Sequence, residues 1–172
     1  MSKSPWLIEP FDKNKHISEG FSCGYLQLDE YLIKYASQDI KRRVALIFVA
    51  TLQTDNIVRG YYTLSAASFA KDNLPANLAK KLPFYPVPAA IIGRLAVDQT
   101  CQGQKLGRYL LMDAFNRILQ ASNWIAVNAI IVDAKDDKAK EFYLKYGFQS
   151  FASQPLRLFI PVTTVAQLVV SH

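Results

Sequence analysis

The 172-residue sequence predicts a mixed α/β fold built on a central sheet, and three observations carry that expectation. Apolar periodicity switches between the strand and helix patterns in the order β, α, β-hairpin, β, α, β, α, β. The run Ile125–Val132 is nearly all apolar, which suits a strand buried on both faces, as in a parallel arrangement. No repeat, low-complexity tract or linker interrupts the chain, so residues 1–172 read as one domain.

Each element has its own signal. Ile8–Phe11 is expected to be a short first strand. From Leu26 to about Ile40, the apolar residues Leu28, Tyr31, Leu32 and Tyr35 recur at i, i+3, i+4 and i+7, the pattern of an amphipathic helix. Lys41-Arg42-Arg43 closes it, where cations suit the negative end of the helix dipole. Val44–Leu52 and Ile57–Ala66 are β-rich and flank the turn residues Thr54-Asp55-Asn56, so they predict a hairpin. Pro75–Leu82 is read as a short helix. Regular helix is barred from Pro83-Phe-Tyr-Pro-Val-Pro88, because each proline lacks an amide donor and restricts its predecessor. Ala89–Val97 is expected as a strand, Leu106–Gln120 as a helix, and Ile125–Val132 as a strand. Asp136–Tyr146 then reads as a helix ended by Gly147, and Leu156–Val162 as the final strand.

Composition narrows the class. Half the residues are apolar and a fifth are charged, an ordinary balance for a folded domain and not for a disordered one. Met1-Ser-Lys-Ser-Pro-Trp6 lacks the apolar stretch of a signal peptide. The longest apolar runs are cut by Arg94, or by Pro161 and Gln167, short of the roughly 20 residues that span a bilayer. A cytoplasmic protein is expected. Cys23 and Cys101 are far apart and without metal-ligand spacing, so they are expected to be free thiols, and no metal site is predicted. The formal net charge of +6 makes polyanionic partners, nucleic acid among them, plausible.

The most informative stretch runs Arg94-Leu-Ala-Val-Asp-Gln-Thr-Cys-Gln-Gly-Gln-Lys-Leu-Gly107. A strand ends near Asp98, a loop carries Gly103, and a helix opens near Lys105. Unpaired amides at a helix start converge on one spot, and the positive dipole end joins them in favouring a phosphate or pyrophosphate. Strand–Gly loop–helix junctions are common, and a tight turn needing glycine for steric reasons fits the spacing as well. There is no G-x-G-x-x-G and no G-x-x-x-x-G-K-S/T, so Rossmann and Walker-type loops do not fit.

Gln102-Gly-Gln-Lys-Leu-Gly107 resembles the coenzyme A signature of GNAT-fold acetyltransferases, Q/R-x-x-G-x-G/A, with Lys105 standing where the middle glycine is usual. Backbone amides make that contact in the family, so a lysine can serve, at a steric cost if the position needs positive φ. Asp136-Asp-Lys-Ala-Lys-Glu-Phe-Tyr-Leu-Lys-Tyr-Gly-Phe148 resembles the family pattern N-x-x-A-x-x-F-Y-x-x-x-G-F. Ala139, Phe142, Tyr143, Gly147 and Phe148 match it, and Asp136 replaces the asparagine. By spacing alone, Tyr143 belongs to an apolar helical stripe with Ala139, Phe142 and Tyr146 and could be core. The resemblance instead implies a general acid beside the thioester sulfur.

Further blocks sharpen the likeness. Gly60-Tyr-Tyr-Thr-Leu-Ser-Ala-Ala-Ser68, Lys81-Leu-Pro-Phe-Tyr-Pro-Val-Pro88, Gly93-Arg-Leu-Ala-Val-Asp98 and Val132-Asp-Ala-Lys-Asp-Asp137 resemble the GNAT toxins of bacterial toxin–antitoxin pairs. That resemblance implies a GNAT fold, a central mixed sheet flanked by helices. It also implies acetyl-CoA as co-substrate, acetylation of the α-amine of aminoacyl-tRNA, a block to translation, a ribbon-helix-helix DNA-binding antitoxin, and a homodimer. Leu95, Ala96 and Val97 would pair with the pantetheine arm, and the amides of Gln102, Gly103, Gln104, Lys105, Leu106, Gly107 and Arg108 would take the pyrophosphate. Asp136 would lie by the same arm, Val97 N–H would hold the oxyanion, and Tyr143 would protonate the departing thiolate.

Lys34, Lys41, Arg42, Arg43, Lys80, Lys81 and Arg94 are the candidate tRNA contacts, since such a substrate is held largely through its phosphates. Arg94 stands out as a charge inside an apolar strand, which an internal ion pair would also explain. No general base is required, because an α-amine titrates near about 7.7–8.0 and is partly neutral at pH 7. His16 and His172 are given no role. Two other readings remain at this stage: an acetyltransferase of a protein N-terminus, lysine or small amine, and a non-catalytic acyl-CoA or RNA-binding module.

Overall fold

The structure, a computed structural model, describes residues 4–170, so His172 lies outside the described residues. β1 (Trp6–Pro10) is followed by one helical run in three stretches: α1 (Leu26–Glu30), a π-helical turn (Tyr31–Tyr35) and α2 (Ala36–Lys41). Next come β2 (Leu46–Leu52), β3 (Gly60–Phe69), the short α3 (Ala76–Ala79) and β4 (Val87–Val97). α4 (Leu106–Ala121), β5 (Ala129–Asp133), α5 (Asp137–Lys145), β6 (Gln149–Phe151), β7 (Gln154–Pro161) and α6 (Val162–Val170) complete the chain. The strands form a seven-stranded sheet in the order β1-β2-β3-β4-β5-β7-β6. β4 and β5 run parallel, whereas β1–β2, β2–β3, β5–β7 and β6–β7 are antiparallel. The mixed α/β class is as predicted.

Three expectations need correction, and one short strand was not anticipated. The helix over 26–41 forms, but Tyr35 is 51 % exposed and Ala36 is buried in its place. The π turn takes more residues per revolution than an α turn, which shifts the apolar phase one position onward. β5 starts at Ala129 and not at Ile125, because the amides of Trp124 and Ile125 both bond back to Ala121 O and extend the turn after α4. β7 ends at Pro161, and Val162–Val170 is a helix that the β-branched sequence disguised. The three-residue β6 was too short to read.

Two compact units share the chain. One runs to Ser65 and resumes over Arg94–Ala114, and the other takes Ala66–Gly93 and the residues from Phe115 on. In the first, Phe21, Tyr31, Leu32, Ile47, Val49, Tyr61 and Ala96 form the core. Tyr61 stacks on Tyr31 and meets Phe21 edge-on. Gly60 matters here: a Cβ on it would lie 3.0–3.2 Å from Leu110 Cδ1, Leu106 Cδ2 and Ala96 O, so its bare backbone lets α4 settle directly on β3. In the second, Phe69, Leu74, Val87, Ile131, Phe151 and Phe159 pack together. Ile130, Ile131 and Val132 are wholly buried, as the apolar run of β5 predicted.

Candidate active site

The end of β4 is unusual for a strand inside a sheet. Its pairing with β5 stops at Ile92↔Val132, yet it continues to Val97. The alternation of backbone groups along the last stretch is set by two bonds, Arg94 N–H to Thr63 Oγ1 (3.1 Å) and Asp98 N–H to Arg59 O (2.8 Å). Both point toward β3, so Ala96 between them points there too, while Leu95 and Val97 turn their N–H and C=O groups to the opposite edge. Of the three strand residues predicted to meet the pantetheine arm, Leu95 and Val97 are thus suited to it. Ala96 is corrected to a packing role, with its side chain buried in the core.

Asp98 ties the strand to the turn that follows. Its Oδ2 accepts from Ser22 N–H (3.0 Å), and its Oδ1 accepts from Thr100 N–H (2.9 Å) and the Thr100 hydroxyl (2.7 Å). Burial would raise its pKa, but those donors, with Arg59, hold the carboxyl below the usual range. The sequence reading missed this residue, although Asp-x-Thr is a legible cap motif.

The turn then opens toward α4. Gly103 has φ +83° and Lys105 has φ +64°, so the lysine occupies the left-handed region that the family's glycine would enter without strain. Lys105 C=O accepts from Tyr109 N–H, which makes it the first residue to bond into the helix. Among the described residues, no acceptor in hydrogen-bonding geometry is found for the amides of Gln102 through Arg108. Consecutive donors at the positive end of a helix, beginning on an exposed turn, can receive an anionic group. The side chains behave differently. Gln102 Nε2 donates to Cys23 O and Val97 O (both 3.1 Å), bracing the turn, and Leu106 is buried. Cys101 and Cys23 are both free and buried.

Arg94 makes no ion pair among the described residues. Its guanidinium lies 3.5 Å from the centre of the Tyr31 ring, a cation–π contact, and the Tyr31 hydroxyl donates to Asp39 Oδ2 (2.7 Å). Burial first, then that bond to Asp39, pushes the Tyr31 phenol far above its ordinary pKa, with Arg94 opposing. Of the other cations, Lys34 pairs with Glu30 at 3.7 Å, while Lys41, Arg42 and Arg43 are exposed at the end of α2. Lys80 and Lys81 are exposed after α3. His16 is fully occupied: its Nδ1 accepts from Asp12 N–H and its Nε2 pairs with Glu9.

In the second unit, α5 carries Tyr143. Asp136 caps the helix, its Oδ1 accepting from Ala139 N–H (2.8 Å), so the capping that an asparagine would supply is retained. Tyr143 is 6 % exposed and packs edge-on against Phe142 and Phe148. Its hydroxyl finds no hydrogen-bond partner among the described residues, yet it is not sealed, since the fully occluded unpartnered side-chain oxygen is that of Thr51. Burial pushes its phenol well above the ordinary range, so it stays protonated and able to donate at neutral pH. Among the described residues, no group of three or more His, Cys, Asp or Glu side chains is arranged to hold a metal ion. Nor is any helix there long and apolar enough to cross a membrane.

The open strand edge, the amide-lined turn and the helix motif define a class. Residues 43–150 match the Acetyltransferase (GNAT) domain, and the chain belongs to the GNAT acetyltransferase family. Among its relatives, the tRNA-acetylating toxin of Mycobacterium tuberculosis is 36 % identical over 149 residues, covering 87 % of this chain and 88 % of that one. The protein named Probable toxin TacT from Sinorhizobium fredii is 30 % identical over 171 residues, covering 95 % and 94 %. Solved structures agree. A Tyr-to-Phe mutant of KacT superposes with a TM-score of 0.91 at 28 % identity, covering 96 % of this chain and 99 % of that one. AtaT complexed with acetyl-methionyl-tRNAfMet gives 0.88 at 28 %, covering 95 % and 98 %. AtaTR bound with acetyl-CoA gives 0.82 at 28 %, with the same coverage.

Proposed function

We propose that this chain is the toxin of a toxin–antitoxin pair and transfers an acetyl group from acetyl-CoA to the α-amine of aminoacyl-tRNA, which blocks translation. The observation that carries the reading is the row of unpaired amides from Gln102 to Arg108, on a turn whose glycine-like geometry persists at Lys105. Amides at a helix start have no partner within the helix, and a diphosphate is a group that satisfies several at once. The substrate class rests on the relatives named for tRNA acetylation and on the chain's net charge of +6.

In this reading the amides of Gln102–Arg108 hold the pyrophosphate, and the outward edge of Leu95 and Val97 pairs with the pantetheine arm. Acetyl-CoA supplies the thioester, whose thiolate leaves as the amine takes the acetyl group. Val97 N–H stabilises the carbonyl oxygen as it gains charge. Tyr143, protonated and without a hydrogen-bond partner among the described residues, donates its proton to the leaving sulfur. Arg94, fixed over Tyr31, offers its remaining N–H donors to the RNA, and Lys34, Lys41, Arg42, Lys80 and Lys81 contribute to phosphate attraction. The protein works in the cytoplasm as a homodimer, neutralised by a ribbon-helix-helix antitoxin.

The test is mass spectrometry of a charged tRNA pool incubated with the protein and acetyl-CoA. N-acetylated aminoacyl adenosine at the 3′ end is expected. Acetylation of polyamines or peptides with charged tRNA untouched would move the acceptor to a small amine or a protein. Coenzyme binding without transfer to any acceptor would leave a binding module.

A further inference from the structure

The Pro-rich loop between α3 and β4 displays two large aromatic side chains that the fold does not use. Phe84 is 91 % exposed and Tyr85 is 70 % exposed. A phenylalanine held in water contributes nothing to folding through burial, and consecutive exposed aromatics signal a binding surface. Pro83, Pro86 and Pro88 fix three backbone φ angles around the pair, so little further ordering is required for it to engage a partner.

The surroundings indicate which partner. Lys71 Nζ sits 3.6 Å from the centre of the Phe84 ring and also donates to Leu82 O at 3.5 Å, which steadies the ring from one side. Lys80 and Lys81 are exposed four and three residues before Phe84, and none of these lysines forms an ion pair among the described residues. Beside the loop, an open pocket of about 330 Å³ is lined by Ser68, Phe69, Asn73, Pro86, Gln154 and Arg157, whose amide and guanidinium groups suit the edges of a base. Exposed aromatics interleaved with unpaired cations are the recurring means of binding single-stranded nucleic acid: the rings stack on bases and the cations follow the backbone.

We infer that Phe84 and Tyr85 form a stacking platform for the unpaired bases at the 3′ end of the RNA substrate, with Lys80 and Lys81 on its phosphates. The inference rests on the tRNA reading above and deepens it: bases, and not phosphates alone, are recognised at this loop. The platform serves any sequence with an unpaired end, because every base has a face to stack.

A short RNA hairpin ending in single-stranded CCA, with 2-aminopurine as the terminal base, tests this without acetyl transfer. The native protein is expected to quench the fluorophore on binding. Phe84→Ala and Tyr85→Ala should each weaken binding about tenfold with unchanged Tm, and Phe84→Trp should restore it. Blunt-ended RNA should be insensitive to all three. Added salt should erase the loss caused by Lys80→Ala but leave that caused by Phe84→Ala, because stacking is not screened. With charged tRNA, Phe84→Ala should raise KM and spare kcat. Equal binding of the hairpin by the native protein and Phe84→Ala overturns the inference, as does parallel weakening toward overhang and blunt RNA. It is equally overturned if Phe84→Ala leaves RNA binding intact and abolishes neutralisation by the antitoxin, which would assign the loop to a protein partner. Quenching that depends on Phe84 in a protein unable to acetylate tRNA would fault the enzymatic reading and leave the platform standing.

Discussion

The helical run over 26–41 and the junction over 98–108 treat polar groups in opposite ways. In the unit that holds the first, three buried phenols each have an acceptor: Tyr31 donates to Asp39, Tyr61 to Leu28 O at 2.6 Å, and Tyr62 to Asp113. The C-terminus of the helical run is closed just as fully. Arg43, at φ +59°, donates to Ile40 O while Val44 N–H reaches Asp39 O, the paired bonds of a Schellman end. In the second, Asp98 is saturated with donors, and from Gln102 to Arg108 the amides find no acceptor among the described residues. A protein that satisfies its polar groups so thoroughly in one place leaves them open in another where a ligand belongs. Tyr143 follows the second pattern, a buried phenol without a hydrogen-bond partner among the described residues, and that separates it from Tyr31, Tyr61 and Tyr62.

Substitution can break or sharpen this contrast. Tyr143→Phe should lower acetyl transfer by about 10²–10⁴-fold, the range for positioned proton transfer, with acetyl-CoA affinity and Tm unchanged. Tyr61→Phe removes a hydroxyl just as buried and should leave turnover nearly intact while costing about 1 kcal/mol in a denaturant titration. Equal turnover losses in the two variants would erase the distinction. Gly103→Ala comes next. A Cβ there meets nothing within 4 Å, so the penalty is the backbone's alone, about 1–2 kcal/mol at positive φ. KM for acetyl-CoA should rise about 3- to 10-fold with kcat little changed, as steady-state kinetics would read.

The pH response separates the phenols from ordinary ones. Tyr31, Tyr61 and Tyr143 all have raised pKa values, with burial the largest cause. A phenol whose pKa is higher folded than unfolded adds stability that is intact below the unfolded value near about 10 and is lost as pH rises through it. Thermal melts should therefore hold level through neutral pH and fall above about 10. Transfer rates should climb as the substrate amine loses its proton and show no descending limb from Tyr143 below that point. A descending limb near pH 9 that vanishes in Tyr143→Phe would refute the raised value. The smallest effects belong to the two basic residues at positive φ. Lys105→Gly and Arg43→Gly should each stabilise by at most about 1 kcal/mol, the left-handed penalty less the entropy that glycine adds. Only a large loss of acetyl-CoA affinity in Lys105→Gly would show that the ammonium assists the amides.

The sequence was most legible where local chemistry and tertiary context agree. The Gly103 turn, the helix opening at Leu106 and the buried apolar run within β5 follow from residue types alone, and even the strain at Lys105 was foreseeable from the glycine it replaces. Misreadings arose where a neighbour decided the outcome. The π turn that exposes Tyr35 has no signature in the periodicity, and Val162–Val170 became helix despite its β-branched residues. Ala96 shows the limit within the site itself, because a motif identifies a strand but not which of its residues face outward. Arg94 was legible as an anomaly, and its ring partner was not, since Tyr31 lies far away in sequence.

Gly60 gives these observations a wider reach. The seat of the first turn of α4 depends on a missing methyl group more than forty residues upstream, on a strand that holds none of the proposed coenzyme contacts. A methyl group added there would press on Leu106, Leu110 and Ala96 O, so the proposed coenzyme berth is shaped partly by an atom that is not present. A survey of variants confined to charged and reactive side chains would pass over that position.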